Sequence, residues 1–454
     1  MKRSSLFIAV LLATVLAATT LAAQAAKVSE KKDVAIFALG YYGWAIPLET
    51  LGSIDIEIQK VFVDLGRFNI MGYAERLSSG GLQQFIDTLK KAKQANFVMP
   101  EKFQFGEAVL TEAEFNKLVG AFIIATPIVS EFNSRYDNSK NEWETDIKTN
   151  VTFIDVGAGG SVLGIAEVKT SGSDKSNQNK SISNAIEAIP MQLQYEVRKV
   201  PAFQIDTRVL AVSKGEIKLQ LGQNMGIKKG DEYSIIVSDT VEGYQNTSEK
   251  GLVAIKDVGS EVSTGQVLYS SIKLTKDVQL HEIPRLGIDA EPFLHIVNGT
   301  KLTTFDQADA TGSNIIAGLR VPLSRGFYGV RPFGEIQVPV NGVRSFLTAF
   351  MIPIDVVFGA EYRLNLGRLS VTPYGGVGAS YIYVSEAISS TSGDTKDTYI
   401  PHIGAQGYLN LAYLITRDMR VFADVGGEYW LSLASGLYSN YGGYGFGAGM
   451  SFKL

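Results

Sequence analysis

The segment MIPIDVVFGAEYRLNL, residues 351–366, alternates apolar and polar positions. Ile352, Ile354, Val356, Phe358, Ala360, Tyr362, Leu364 and Leu366 share one parity, while Asp355, Glu361, Arg363 and Asn365 share the other. A period of two marks a strand with one apolar and one polar face. The pattern recurs over residues 401–415 and 420–431. It also closes the chain, where Tyr444, Phe446, Ala448, Met450, Phe452 and Leu454 alternate with glycines, Ser451 and Lys453. The alternation predicts eight strands, near residues 286–297, 314–324, 330–340, 351–366, 369–385, 400–415, 419–433 and 443–454.

Three features turn these strands toward a membrane. Many exceed 11 residues, whereas strands of water-soluble domains run to about 5–6 and a bilayer crossing needs about 9–11. The connectors alternate between tight turns (Ser324–Tyr328, Leu366–Arg368, Thr416–Asp418) and longer polar loops at 298–313, 341–350, 386–399 and 434–442, the pattern of short periplasmic turns and long outer loops. Aromatics gather at predicted strand ends: Tyr362, Tyr413 and Phe452 toward the short turns, Tyr381, Tyr383 and Tyr429 toward the long loops. These form two candidate girdles. Because an exposed sheet edge is not tolerated in lipid, the expectation is a closed eight-stranded antiparallel transmembrane β-barrel over residues 285–454. A soluble β-domain is the rival.

By parity the lumen holds Asp289, Glu291, Arg320, Arg331, Glu335, Asp355, Glu361, Arg363, Asp424 and Glu428. Eight strands leave an interior just filled by its own side chains, and buried charges need partners. An Arg–carboxylate network closing the lumen is therefore expected, with a narrow cation path as the alternative. His295 and His402 also face inward and are expected near the long-loop rim, where a metal or catalytic site is conceivable. No serine stands convincingly beside them, so they read first as polar lumen residues.

The preceding chain has other rhythms. Residues 1–25 carry Lys2 and Arg3, an apolar run and Ala23-Gln24-Ala25, a cleavable signal-peptide pattern. No later stretch of about 18 apolar residues suggests a membrane helix. Residues 26–204 read as α/β. Strands are expected at 33–39, 68–74 and 121–132, and in two segments joined by Gly157-Ala158-Gly159-Gly160. Helices are expected at 47–65, at 82–95, after a Thr111/Glu114 capping pair, and at 181–200 with a bend at Pro190. Ser171–Lys180 reads as a solvated loop. Residues 205–284 alternate around Lys229-Gly230-Asp231 and predict a small all-β, barrel-like module.

Three resemblances follow from these residues. The VAIF strand, the long helix and LGRFNIMGYAERL resemble the opening of TolB N-terminal and CsgG-like periplasmic domains, over about 170 residues; the CsgG lipidated cysteine is missing. The G-I-x-x-G-D pattern resembles the C-terminal module of FlgT-like proteins, where it serves structure or docking. The last segment resembles OmpA/OmpW-like eight-stranded barrels. Its ending resembles the signal read by the outer-membrane assembly machinery, although Phe452 stands two residues inside. These imply outer-membrane lipid and that machinery as partners, with the N-terminal domains in the periplasm.

Composition narrows function. Charged residues make up 19% of 454, below the 25% or so usual in soluble domains. Net charge is −4, which offers no electrostatic footprint for nucleic acid. There is no cysteine, which removes disulfides and thiolate chemistry. Gly157–Gly160 lacks the remaining positions of a phosphate loop, and no zinc or calcium spacing appears. The expectation is a non-enzymatic envelope protein, without cofactor, metal or catalytic residue, anchoring periplasmic modules that bind a protein partner or a second copy. A pore, an outer-rim lipid-modifying enzyme and a surface adhesin are the rivals.

Overall fold

The computed structural model describes residues 28–41, 46–76, 79–92, 102–105, 108–111, 113, 123–241, 244–302, 311–340, 344–345, 349–387, 395–433 and 440–454. The expected signal peptide and the helix behind Glu114 lie outside the described residues; Thr111 ends a short strand.

The N-terminal body contains β1 (Lys32–Ala38), β2 (Gly40–Tyr41), α1 (Leu48–Leu65), β3 (Phe68–Arg76), α2 (Ser79–Ala92), β4 (Lys102–Phe105), β5 (Ala108–Thr111), β6 (Ile123–Asp137), β7 (Glu142–Asp155), β8 (Ser161–Asp174), α3 (Gln178–Glu187) and α4 (Ile189–Lys199). One sheet runs β3-β1-β6-β7-β8, with β1 parallel to β3 and β6. Val34 to Leu39 are all buried, as expected of a parallel strand covered on both faces. The stripe Leu51, Ile54, Ile58, Val61, Phe62 and Leu65 of α1 is buried, and Gly66 ends the helix at φ 66°, the left-handed cap that glycine favours.

Two expectations change here. The single helix over 181–200 is two helices broken at Ala188, with Pro190 in the first turn of α4, where its missing N–H costs no hydrogen bond. Ser171–Lys180 is mostly not loop. The β7–β8 ladder continues to Trp143↔Asp174, and Asn177 then caps α3 by accepting from Lys180 N. Ser171–Asp174 belong to the paired strand and Gln178–Lys180 to the first turn of α3, so only residues 175–177 connect them.

The middle body is a closed six-stranded barrel in the order β10-β13-β12-β11-β14-β9. Its strands are β9 (Asp206–Ser213), β10 (Glu216–Gln220), β11 (Glu232–Val241), β12 (Tyr244–Val258), β13 (Val262–Ser270) and β14 (Gln279–Ile283). Ile217, Leu219, Tyr233, Ile235, Val253 and Ile255 fill it.

The third body uses β15 (Asp289–Thr300), β16 (Thr311–Pro322), β17 (Val330–Pro339), β18 (Arg344–Ser345), β19 (Ala349–Tyr362), β20 (Leu364–Leu366), β21 (Leu369–Ala387), β22 (Thr395–Leu414), β23 (Met419–Ser432) and β24 (Tyr441–Lys453). Antiparallel pairs link β15-β16-β17-β19-β21-β22-β23-β24, and β24 returns to β15 to close a ring of eight. The continuous strand expected at 351–366 is interrupted: Arg363 N bonds Gly329 O, because β17 ends opposite Tyr362 and β20 pairs only β21.

One short loop touches all three bodies. In Gly226-Ile227-Lys228-Lys229-Gly230-Asp231, Gly226 (φ 72°) lies against Leu65 and Gly66, and Gly230 (φ 81°) lies against the Ser324–Phe327 turn. A β-carbon would fall 1.7 Å from Leu65 O at Gly226 and 2.0 Å from Ser324 O at Gly230. Gly215 has a similar φ, 83°, with open space around it. Gly226→Ala and Gly215→Ala therefore share the backbone strain, and only the first adds the collision. Urea denaturation of the full chain in micelles should show Gly226→Ala less stable than Gly215→Ala by roughly 1–3 kcal/mol.

Candidate functional site: a filled lumen and its charged mouth

The outward side chains of the eight-stranded ring are apolar. Phe358 and Val377 are 68% and 67% exposed, and Leu294, Ile336, Ile403, Val425 and Phe446 share that outer surface. Of the expected girdle residues, Tyr362, Tyr413, Phe452, Tyr381 and Tyr429 are exposed and Tyr383 is half-buried. Among the described residues no helix is long and apolar enough to cross a membrane. A closed antiparallel ring, greasy outside and polar inside, with short turns at one end, is a β-barrel of the outer-membrane type.

All ten expected lumen residues are buried, but they do not form one network. Near the short-turn mouth the charges pair. Glu291 receives Arg320 at 2.7 Å and Arg363 at 3.1 Å, while Asp289 receives Arg331 and Arg363 at 3.2 Å each. Glu361 lies 3.0 Å from Arg363. The Arg320 guanidinium also stacks 3.8 Å above the Tyr374 ring, a cation–π contact.

Higher up, no described lumen side chain is an arginine. His295 lies between the Phe293 and Tyr408 rings, its Nε2 3.0 Å from Asp424, which also accepts from Asn410 at 2.8 Å. Gln406 donates to Glu335 at 2.9 Å. Toward the long loops, Trp430 Nε1 donates to Glu428 at 3.1 Å and Tyr441 OH donates to Asp355 at 2.7 Å. Gln337 reaches both carboxylates at about 3.5 Å. The expected Arg–carboxylate closure thus holds only for the mouth half. The outer half is closed by amides, rings and hydroxyls around carboxylates.

The histidine expectation also changes. His295 is the seventh residue of twelve in β15, at mid-barrel rather than the rim, because parity assigns a face but not a height. His402 is buried further out, edge-on to Tyr441. Among the described residues no group of three His, Asp or Glu side chains is arranged to hold a metal. Parity sets Gln406, Tyr408, Asn410, Trp430 and Lys453 on the face of the expected lumen charges, and Gln337, Tyr374, Arg420 and Tyr441 join them inside the barrel.

The mouth is capped by the other two bodies. Glu282 of β14 accepts from Arg67 Nη1 at 2.7 Å and from Arg198 Nε at 2.8 Å, both from the N-terminal body. Asp231 accepts from Arg198 at 3.2 Å and from Arg325 of the β16–β17 turn at 2.9 Å. Glu232 binds Arg285 at 3.1 Å and Lys453 of the last strand at 2.5 Å. At the edge, Arg417 meets Glu249 at 2.7 Å, and Arg368 stacks 3.9 Å over Tyr269. Leu252, Ala254, Leu268 and Ile283 pack with Leu414 beneath these pairs.

Burial opposes charge on Glu282, but Arg67 and Arg198 outweigh it and hold the carboxyl well below the ordinary range. Burial likewise opposes charge on Glu232, and Lys453 with Arg285 keeps it ionised.

No family model and no curated relative matches the sequence. Solved structures similar to part of the chain include Neisserial surface protein A, at 12% identity, covering 37% of this chain and 96% of that one, TM-score 0.27. The N-terminal β-barrel domain of Pseudomonas aeruginosa OprF is 12% identical over 37% of this chain and 97% of its own, TM-score 0.23. Ail, the attachment invasion locus protein of Yersinia pestis, in complex with a heparin analogue, is 12% identical over 37% and 99%, TM-score 0.26. With scores this low, the barrel's class rests on its own closure and faces.

A carboxylate with a depressed pKa adds stability that is complete above its unfolded-state value and is lost progressively as pH falls from that value through the lower folded-state one. Glu282→Gln should therefore cost about 3–5 kcal/mol at neutral pH. Its deficit against the unaltered chain should shrink as pH drops below about 4.3, read as unfolding free energy against pH.

Proposed function

We propose that this chain is an outer-membrane anchor: a closed, non-conducting barrel that holds two periplasmic bodies rigidly at its inner mouth. The observation that carries the reading is two sets of buried ion pairs that bind the bodies at the mouth: Glu232 with Lys453 of the last strand, and Asp231 with Arg325 of the barrel turn and Arg198, which continues to Glu282. Such side chains fill the space a channel would need. Buried, multiply bonded pairs between bodies also favour one fixed arrangement over a tethered, swinging one.

On this reading the short-turn end faces the periplasm, and residues 26–284 lie there. The resemblance of the first body to CsgG/TolB-like domains, and of the second to FlgT-type docking modules, supports a role in envelope assembly through a protein partner or a second copy. The barrel's partners are lipid and the outer-membrane assembly machinery. Chemistry is not part of the proposal: His295 is packed between two rings, and Ser380, the register partner of His402, is engaged by the Tyr441 hydroxyl at 2.9 Å. A pore is the second reading, supported by the lack of arginine among the described side chains of the outer lumen.

Two measurements test this. Unboiled protein from outer-membrane fractions should migrate differently on a gel from boiled protein, and protease should leave a core near residues 285–454. In planar bilayers the purified chain should give no steady conductance. A soluble, unshifted protein recovered in the periplasm would sink the membrane reading, and reproducible cation-selective steps would replace the anchor with the pore.

A further inference from the structure

A small cavity of about 10 Å³ lies where the six-stranded barrel caps the mouth of the eight-stranded one. That is room for one body of about the size of a water molecule. Glu232, Arg285, Asp289, Arg331, Arg420 and Lys453 are among its lining residues.

Among its lining side chains the charges do not balance: Arg285, Arg331, Arg420 and Lys453 face Glu232 and Asp289. The mouth gathers six cations: Arg285, Arg320, Arg331, Arg363, Arg420 and Lys453. Against them stand Glu232, Asp289, Glu291, Glu361 and the half-exposed Asp418. Five of the cations pair with these carboxylates. Arg420 is left over. It is 4% exposed, and its Nη1 is buried without a hydrogen-bond partner. The carboxylates nearby, Asp289 and Glu232, are already paired with other cations, and an orphaned buried donor calls for an ion or a water.

We propose that a single chloride ion occupies this cavity, bound by Arg420 with help from the other cationic side chains lining it. A water would satisfy the Nη1 donor but leave the surplus charge in a low-dielectric site. Phosphate and sulfate are too large for the volume. Glu232 and Asp289 do not forbid an anion, because each is already clamped between two cations, Arg285 with Lys453 and Arg331 with Arg363. The ion completes the neutralisation of the interface at which the middle body docks, so docking strength becomes dependent on halide.

Crystals of the full chain grown with bromide as the only halide should show an anomalous peak within hydrogen-bonding reach of Arg420. In micelles, exchanging chloride for gluconate at constant ionic strength should lower the unfolding midpoint of the unaltered chain by several degrees. Arg420→Gln, which removes the surplus charge, should make the midpoint indifferent to the exchange. If that variant does not fold, the peak and the unaltered chain decide the matter. Absence of the bromide peak overturns the proposal, as does a midpoint of the unaltered chain that ignores the exchange; either outcome assigns the cavity to water.

Discussion

Glu282 sits on a strand of the six-stranded barrel, yet the cations that neutralise it, Arg67 and Arg198, belong to the N-terminal body. Arg198 continues to Asp231, Asp231 to Arg325, and Arg325 belongs to a turn of the eight-stranded barrel. The desolvation of any one of these charges is supportable only while its partners stay in place. None of the bodies can therefore separate without leaving a buried charge bare. The close approach that makes this possible depends on the glycines of Gly226–Asp231, where backbone meets backbone. Charge and contact meet in one loop, and the relative placement of the bodies follows from it.

The lumen answers a different constraint. Eight strands enclose too little space for bulk water to solvate charges, so the inward charges depend on protein partners. Near the mouth the partners are arginines, and there the ion pairs merge with those of the docked bodies. Farther out the carboxylates Glu335, Asp355, Asp424 and Glu428 are met by amides, His295, Trp430 and Tyr441. The cations thus concentrate at the end where the docked bodies supply further carboxylates.

Much of this was legible in the alternation. Parity separates the lipid-facing Phe358 from the lumen-facing Glu361 without any knowledge of pairing, and all ten charged positions chosen that way are buried. The same parity also marks Gln337, Gln406, Asn410 and Arg420, which are buried beside those charges. Height was not legible: His295 needed the register with β16 and β24 to be placed at mid-barrel. Nor was the junction. Arg67 and Glu282 are 215 residues apart, and no local period encodes a contact between separate bodies. The GRF segment reads as the start of a strand, and its arginine carries no local signal of a distant partner. The G-I-x-x-G-D turn was visible as a turn, while its two interfaces were not.

The claim that the bodies form one rigid unit can be measured directly, because the chain has no cysteine of its own. Spin labels at Lys218→Cys and Thr416→Cys would report the distance from the six-stranded barrel to the mouth of the eight-stranded one. A second pair, Lys175→Cys with Thr416→Cys, would report on the N-terminal body; all three native residues are exposed. Dipolar spectroscopy in lipid nanodiscs should give one narrow distance distribution for each pair. Broad distributions for both would mean tethered bodies that swing beneath the barrel, and would contradict the account.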